Sequence, residues 1–244
     1  MALAKELSWS QVRALAERSA VALLPVGSTE AHGPHLPLSV DVLIAEEVCR
    51  RAAALLESKG QLGLIFPAVP YGLTDFAAGF SGTVSVGADA TRAYLSDVLV
   101  GIASHGFARV AVVNHHLEPA HFAVVHAAAL DASARCAAKI CVPDHRKRPT
   151  SPLLGVEFTH GGSHAGLYET SLMLAVAPHL VDQRAAAALP ELAVDLPARI
   201  KAGARRFEEL GGAQAYFGAP AMATATEGHR LFDVLAAAVV DALA

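Results

Sequence analysis

Short β-branched runs alternate with helix-patterned segments along this chain, and that alternation leaves few architectures open. Val21–Val26 reads VALLPV and residues 108–113 read ARVAVV, each short, apolar on both sides and ended by polar, turn-forming residues. Such runs suit strands buried on both faces, as in parallel sheets. Further strands are expected over 62–69 and 138–142. Periodicity predicts helices over 8–19, 42–59, 88–105, 119–134, 197–210 and 225–244, with another opening near Glu169. Ser8 or Ser10 can cap the first helix, and Pro119 and Pro197 suit first-turn positions. The expected fold is a three-layer α/β/α arrangement around a mostly parallel sheet, with any site at the carboxyl ends of the strands. At 244 residues the chain suffices for one domain with a full core, spanning 1–244.

The residues that follow the two strands carry the chemistry. Residues 25–41 read PVGSTEAHGPHLPLSVD, which places Glu30, His32 and Asp41 just past the first strand. Residues 114–119 read NHHLEP and place His116 and Glu118 just past the second. In each case a carboxylate and an imidazole lie two apart, so an extended backbone turns both to one side. Five such donors exceed the needs of one structural zinc and suit two divalent cations sharing a bridging carboxylate. Three carboxylates against two divalent cations leave about one positive charge, enough to stabilise a bound hydroxide. The plainer alternative is two polar loops whose histidines only hydrogen-bond. His121 and His126 on the following helix are read as packing or surface residues.

The strings GSTEAHGPHLPLSVD, NHHLE and, over 161–171, GGSHAGLYETS resemble the creatininase family of metal-dependent amidohydrolases, over roughly Val21 to Leu235. The resemblance implies two ions per chain, zinc or manganese with iron as a further option. One would take Glu30, Asp41 and His116, the other His32, Asp41 and Glu118, with Asp41 bridging. It also implies that His164 carries protons beside the metals, that Glu118 takes part in catalysis and that Glu169 orients the site. Many relatives read Asn-Gly-His-Gly-Gly at the second motif, whereas this chain has Glu118, as creatininase proper does. Members of the family are commonly hexamers, so a homo-oligomer is expected.

The long loop over 70–83 borders the expected site and brings Tyr71 and Ser81 forward as pocket residues. It has Ala77 where relatives often carry histidine. Creatininase encloses its flat substrate with tryptophans, one of them four residues before the proton-carrying histidine. Here His160 stands at that position, which implies a more polar pocket. The expected substrate is therefore a small cyclic or N-substituted amide other than creatinine, with formamides and short peptides next. Decay into a non-catalytic binding protein should have removed ligands, and all five candidates and His164 are present. Isomerase or lyase chemistry on a sugar-like substrate is compatible with the donors but less favoured by the resemblance.

A formal charge of -4 without a basic block gives no electrostatic reason to expect nucleic acid or an anionic membrane. The short basic run at 144–148 reads as a solvated turn, an interface rim or a contact for an anionic substrate. Three cysteines without metal-type spacing fit a reducing cytoplasm, and the charged first residues lack a signal core.

Overall fold

The computed structural model describes residues 2–160 and 162–244. Five parallel strands form one sheet in the order β1 (Ala2–Leu3), β3 (Gly63–Ile65), β2 (Val21–Val26), β4 (Arg109–Asn114), β5 (Lys139–Cys141). Alternation along the two central strands divides the core. Val21, Leu23, Ala111 and Val113 face α2 (Val40–Ser58), α6 (Leu167–Val176) and α9 (Ala225–Ala242). Ala22, Leu24, Val26, Val110 and Val112 face α1 (Trp9–Glu17), α3 (Ala88–Ser104) and α4 (Pro119–Ser133). This is the three-layer arrangement expected from the alternation.

Connectivity places the site. From β2 the chain passes through α2 to β3 on one side, and from β4 it passes through α4 to β5 on the other. The helices leave on opposite faces, so the carboxyl ends of β2 and β4 diverge and open a crevice. Register pairs Val26 with Asn114, which brings the two polar loops level. The backbone N–H of His115 donates to the Val26 carbonyl at 3.0 Å and ties them together. At the start of this loop a Cβ on Gly27 would come within 2.8 Å of Asp41 and Val42, so only glycine lets the strand end pass α2 this closely.

Two elements differ from expectation. The strand over 62–69 shortens to Gly63–Ile65, because Pro67 has no N–H for the ladder. Pairing resumes only at the isolated Val26–Val69 bridge. The helix over 197–210 stops as α8 (Leu196–Lys201), with Asp195 capping the Ala198 N–H at 3.0 Å and Gly203 at φ 108° breaking the helix. The chain then runs irregularly to a single 3-10 turn at Glu208–Leu210, pinned where the Phe207 N–H donates to the Phe76 carbonyl at 3.0 Å. The first helix begins after Ser8, which forms a reciprocal capping box with Gln11.

A small apolar cluster of Phe76, Leu196, Phe207, Leu210 and Phe217 lies apart from the two sheet cores and roofs the crevice. Among the described residues no helix is long and apolar enough to cross a membrane.

The crossing of α6 and α9 supplies a stability test. A Cβ on Gly228 would overlap the carbonyl carbon and oxygen of Ser171. Alanine improves helix propensity by about 1 kcal/mol. Overlap with rigid backbone costs about 3 kcal/mol, the upper end of overpacking. Gly228→Ala is expected to lower unfolding free energy by about 2 kcal/mol in urea titrations. An unchanged midpoint would mean that the crossing opens freely.

Candidate metal centre

Each potential ligand is oriented by a specific backbone or hydroxyl partner. The Nδ1–H of His32 donates to the Glu30 carbonyl at 3.1 Å, which leaves Nε2 as the free nitrogen. That Nε2 lies 3.3 Å from Asp41 Oδ1, 3.5 Å from Glu169 Oε2 and 3.7 Å from Glu30 Oε1. His116 is held in the opposite tautomer: its Nε2–H donates to the Leu73 carbonyl at 2.9 Å. Its Nδ1 therefore faces Asp41 Oδ2 at 3.1 Å and Glu30 Oε1 at 3.2 Å. Second partners fix the carboxylates too. Ser28 donates to Asp41 Oδ2 at 2.6 Å, Thr74 donates to Glu30 Oε2, and the Ala165 N–H donates to Glu169 Oε2 at 2.7 Å. Such outer partners set ring orientation and ligand basicity in metal sites.

Two donor groups result, Glu30–Asp41–His116 and His32–Asp41–Glu169, with Asp41 common to both through its two oxygens. A third possible group joins Glu30, His32 and His164. All of these residues except His164 are buried. His32 Nε2 is buried, lacks a hydrogen-bond partner among the described residues and points into three carboxylates. Electrostatics agree with a cation there. Burial opposes the charged imidazole, yet Asp41, Glu169 and Glu30 outweigh it and hold His32 up to about 10. Against the same burial penalty, Glu30 and Asp41 hold His116 well above its ordinary value. The cluster requires compensating positive charge, and its mixed imidazole and carboxylate donors fit a divalent transition metal.

The two glutamates exchange the places the resemblance implied. Glu118 is absent from all three groups, and Glu169 completes the His32–Asp41 set. The cause is local. Asn114 Nδ2 donates to the His116 carbonyl at 2.7 Å and the His116 N–H donates back to Asn114 Oδ1 at 3.3 Å. That curl ends the strand alternation, and Glu118 becomes the N-cap residue of α4, with Pro119 in its first turn. Its Oε2 accepts the Phe76 N–H at 3.3 Å, and burial pushes its carboxyl up to about 7. Glu169 instead enters from the first turn of α6.

His164 lies against the cluster. Its Nε2–H donates to the Ala31 carbonyl at 3.0 Å, which leaves Nδ1 turned toward Glu30 Oε1 at 3.8 Å. Its ring sits 4.4 Å from both His32 and Phe207. Burial and the neighbouring His32 hold it down to about 4, a neutral imidazole with a free acceptor nitrogen. The segment that carries it is anchored by Glu157, whose carboxylate accepts the backbone N–H groups of Leu167, Tyr168 and Ala219 at 2.8–3.1 Å.

A cavity of about 530 Å³ opens over the cluster, with Glu30, Asp41, His116, Glu118, His164 and Glu169 among its lining. Phe76, Phe158, Leu196, Pro197, Ile200 and Phe207 form much of its wall. Tyr71, Ser81 and His160, expected in the pocket, do not line it. The loop over 70–83 turns its middle inward to serve Glu30, His116 and Glu118, which leaves Tyr71 and Ser81 exposed. The loop thus orients ligands, through Leu73, Thr74 and Phe76, rather than only bordering the pocket. His160 turns outward because its Nδ1–H donates to the Val156 carbonyl at 2.8 Å. Phe158, Thr159 and Ser163 of the same segment face the cavity instead. His121 is a packing residue: it meets Asn114 Oδ1 through Nε2 at 3.1 Å and joins no donor group. Sequence reasoning missed both hydroxyl partners: the place of Ser28 two residues before Glu30 was a usable signal, whereas Thr74 carried none.

The family model described as creatininase, creatinine amidohydrolase, matches residues 5–243. This chain belongs to the creatininase family. A relative named mycofactocin precursor peptide peptidase, from Mycolicibacterium smegmatis, is 33% identical over 234 residues, covering 93% of this chain and 85% of its own. Creatinine amidohydrolase from Pseudomonas putida is 31% identical over 200 residues, covering 72% of each. Among solved structures, a manganese creatininase superposes with a TM-score of 0.76 at 26% identity, over 98% of this chain and 96% of the other. A substituted creatininase of Zn–Zn type gives 0.74 at 25% identity over the same shares. Those relatives are hydrolases, and the creatininase fold here carries donor groups able to hold a metal.

Proposed function

We propose that this chain is a dinuclear metal amidohydrolase that cleaves the C–N bond of an N-substituted, peptide-like amide. One observation carries the dinuclear reading. His32 and His116 are locked in opposite tautomers by backbone carbonyls, and their free nitrogens address different oxygens of the single Asp41 carboxylate. Bound there, divalent cations supply Lewis acidity toward an amide carbonyl and toward water.

The chain's own groups do the rest. Water adds its oxygen to the carbonyl carbon, the C–N bond breaks, and a proton reaches the leaving nitrogen, giving an acid and an amine. Glu118 stands at the cavity outside the donor groups and is placed to take the proton from water. His164, with Nε2–H committed to Ala31, offers Nδ1 to hold or pass that proton. Phe76 and Phe207 line the cavity as apolar rings, Phe207 4.4 Å from the His164 ring.

Substrate size follows from the cavity. About 530 Å³ falls in the range that encloses drug-sized ligands, so a lone lactam ring would leave most of it to water. The relative named as a peptide peptidase supports the larger class. Small cyclic amides remain the second reading, favoured by the likeness to creatinine amidohydrolase.

The test begins with chelation. Complete metal removal is expected to abolish amide hydrolysis, and manganese or zinc to restore it with close to two ions per chain by elemental analysis. Hydrolysis that persists without metal would sink the proposal. Exclusive cleavage of esters or lactones would overturn the amide assignment.

A further inference from the structure

The amide-hydrolase reading leaves open what the far end of the substrate carries, and two cations on the cavity wall bear on it. The lining contains one arginine, Arg146, and one lysine, Lys201. Every other charged group on it belongs to the acidic cluster at the floor or to its histidines. Lys201 ends α8, whose Pro197 and Ile200 form part of the same wall. No hydrogen bond or ion pair occupies its ammonium group among the described residues.

Arg146 is the better fixed of the two. Its Nε and Nη2 donate to Asp144 at 2.8 and 3.1 Å, and its guanidinium carbon sits over the Phe122 ring, 3.4 Å from the centroid. That leaves Nη1 without a hydrogen bond among the described residues. Asp144 does not neutralise the turn, because it also serves Lys147 at 3.2 Å, and Arg148 follows. Three cations against one carboxylate leave this turn about two charges positive, with Lys201 adding another. A fixed guanidinium and a mobile ammonium beside an apolar wall are suited to a carboxylate at the end of an apolar group.

We propose that the cavity binds its amide as an N-acyl amino acid unit, with the free carboxylate held by Arg146 and Lys201 and the apolar side chain against Ile200, Leu196 and Phe158. The same unit occurs in a simple N-acyl amino acid and at the carboxyl terminus of a peptide. Arg146 and Lys201 are specificity residues rather than catalytic ones: among the described residues the Arg146 side chain bonds only to Asp144, and neither cation bonds to the acidic cluster.

The experiment pairs each substrate with its carboxamide: N-benzoyl-phenylalanine and its amide, then trileucine and its C-terminal amide. For the metal-loaded protein, kcat/KM is expected to favour the free carboxylate about tenfold or more, the usual worth of hydrogen bonds to a charged group. That ratio should fall at least about threefold in Lys201→Gln and further in Arg146→Gln, mainly through KM. Arg146→Lys keeps the charge without the fork and should recover part of it. A preference confined to one pair identifies the source. Because loss of Arg146 could disturb its turn, exposed Lys201 serves as the independent variant. A wild-type ratio near one overturns the proposal and leaves the hydrolase reading intact, as does a tenfold ratio that neither variant lowers. If none of the four compounds is hydrolysed, the peptide-like amide reading falls. Calorimetric binding of N-acetyl-phenylalanine and its carboxamide to the same variants then decides the proposal by the same ratio.

Discussion

Glu169→Gln is expected to lose metal, whereas Glu118→Gln is expected to keep it and lose turnover. Glu169 Oε2 lies 3.5 Å from His32 Nε2 and completes a donor group with Asp41. An amide there carries no charge and weakens the second ion, so stoichiometry should fall toward one per chain. Glu118 joins no donor group, and its carboxyl is bound only by the Phe76 N–H among neutral donors. Glutamine preserves that acceptor while removing the proton-transfer group, so kcat should drop about a hundredfold to ten-thousandfold with both ions retained. The measurement is elemental analysis alongside steady-state kinetics on the same preparations. Metal loss in Glu118→Gln with retention in Glu169→Gln would restore the assignment the sequence suggested and refute the one drawn from the geometry.

Asp41→Ala should have a still larger effect, because one residue serves both positions. Its two oxygens address His32 at 3.3 Å and His116 at 3.1 Å, and Ser28 holds it in place at 2.6 Å. Without it, two cations would face each other with one carboxylate fewer between them. Loss of both ions is expected, with turnover reduced by about three powers of ten or more, since Lewis-acid stabilisation amounts to several kcal/mol. Ser28→Ala leaves the carboxylate present but less firmly oriented. Its metal affinity should fall only about tenfold to a hundredfold, the usual effect of an outer partner. Two ions retained by Asp41→Ala in a protein with unchanged circular dichroism would contradict the bridging role.

Much of the fold was legible because its signals are local. Alternation along VALLPV divides its side chains between two cores, and that pattern needs no knowledge of neighbours. Ser8 with Gln11 marks a helix start for the same reason. The strand over 62–69 and the helix over 197–210 were read too long. Pro67 withholds a ladder hydrogen bond, and the Phe76 carbonyl captures the Phe207 N–H, a partner far away in sequence. The same distance hid part of the site. Thr74 and Leu73 orient Glu30 and His116 across more than forty residues, and no spacing rule announces them.

By itself, the sequence determined the strand–helix order, the two loops that converge at the strand ends, and the residue types that can hold a metal. Those follow from side-chain period and donor chemistry, which are properties of short segments. Tertiary structure alone decided which glutamate completes the donor group and which lines the cavity outside it. Spacing placed Glu118 beside His116 on an extended strand, but Asn114 curls the chain and the start of α4 leaves Glu118 outside the donor groups, 4.0 Å from the Nε2 side of His116. Glu169, more than a hundred residues beyond Asp41, arrives because α6 packs against the α2 side of the sheet and aims its first turn at Asp41. A metal site is selected by distances among side chains, and those distances exist only once the layers have packed.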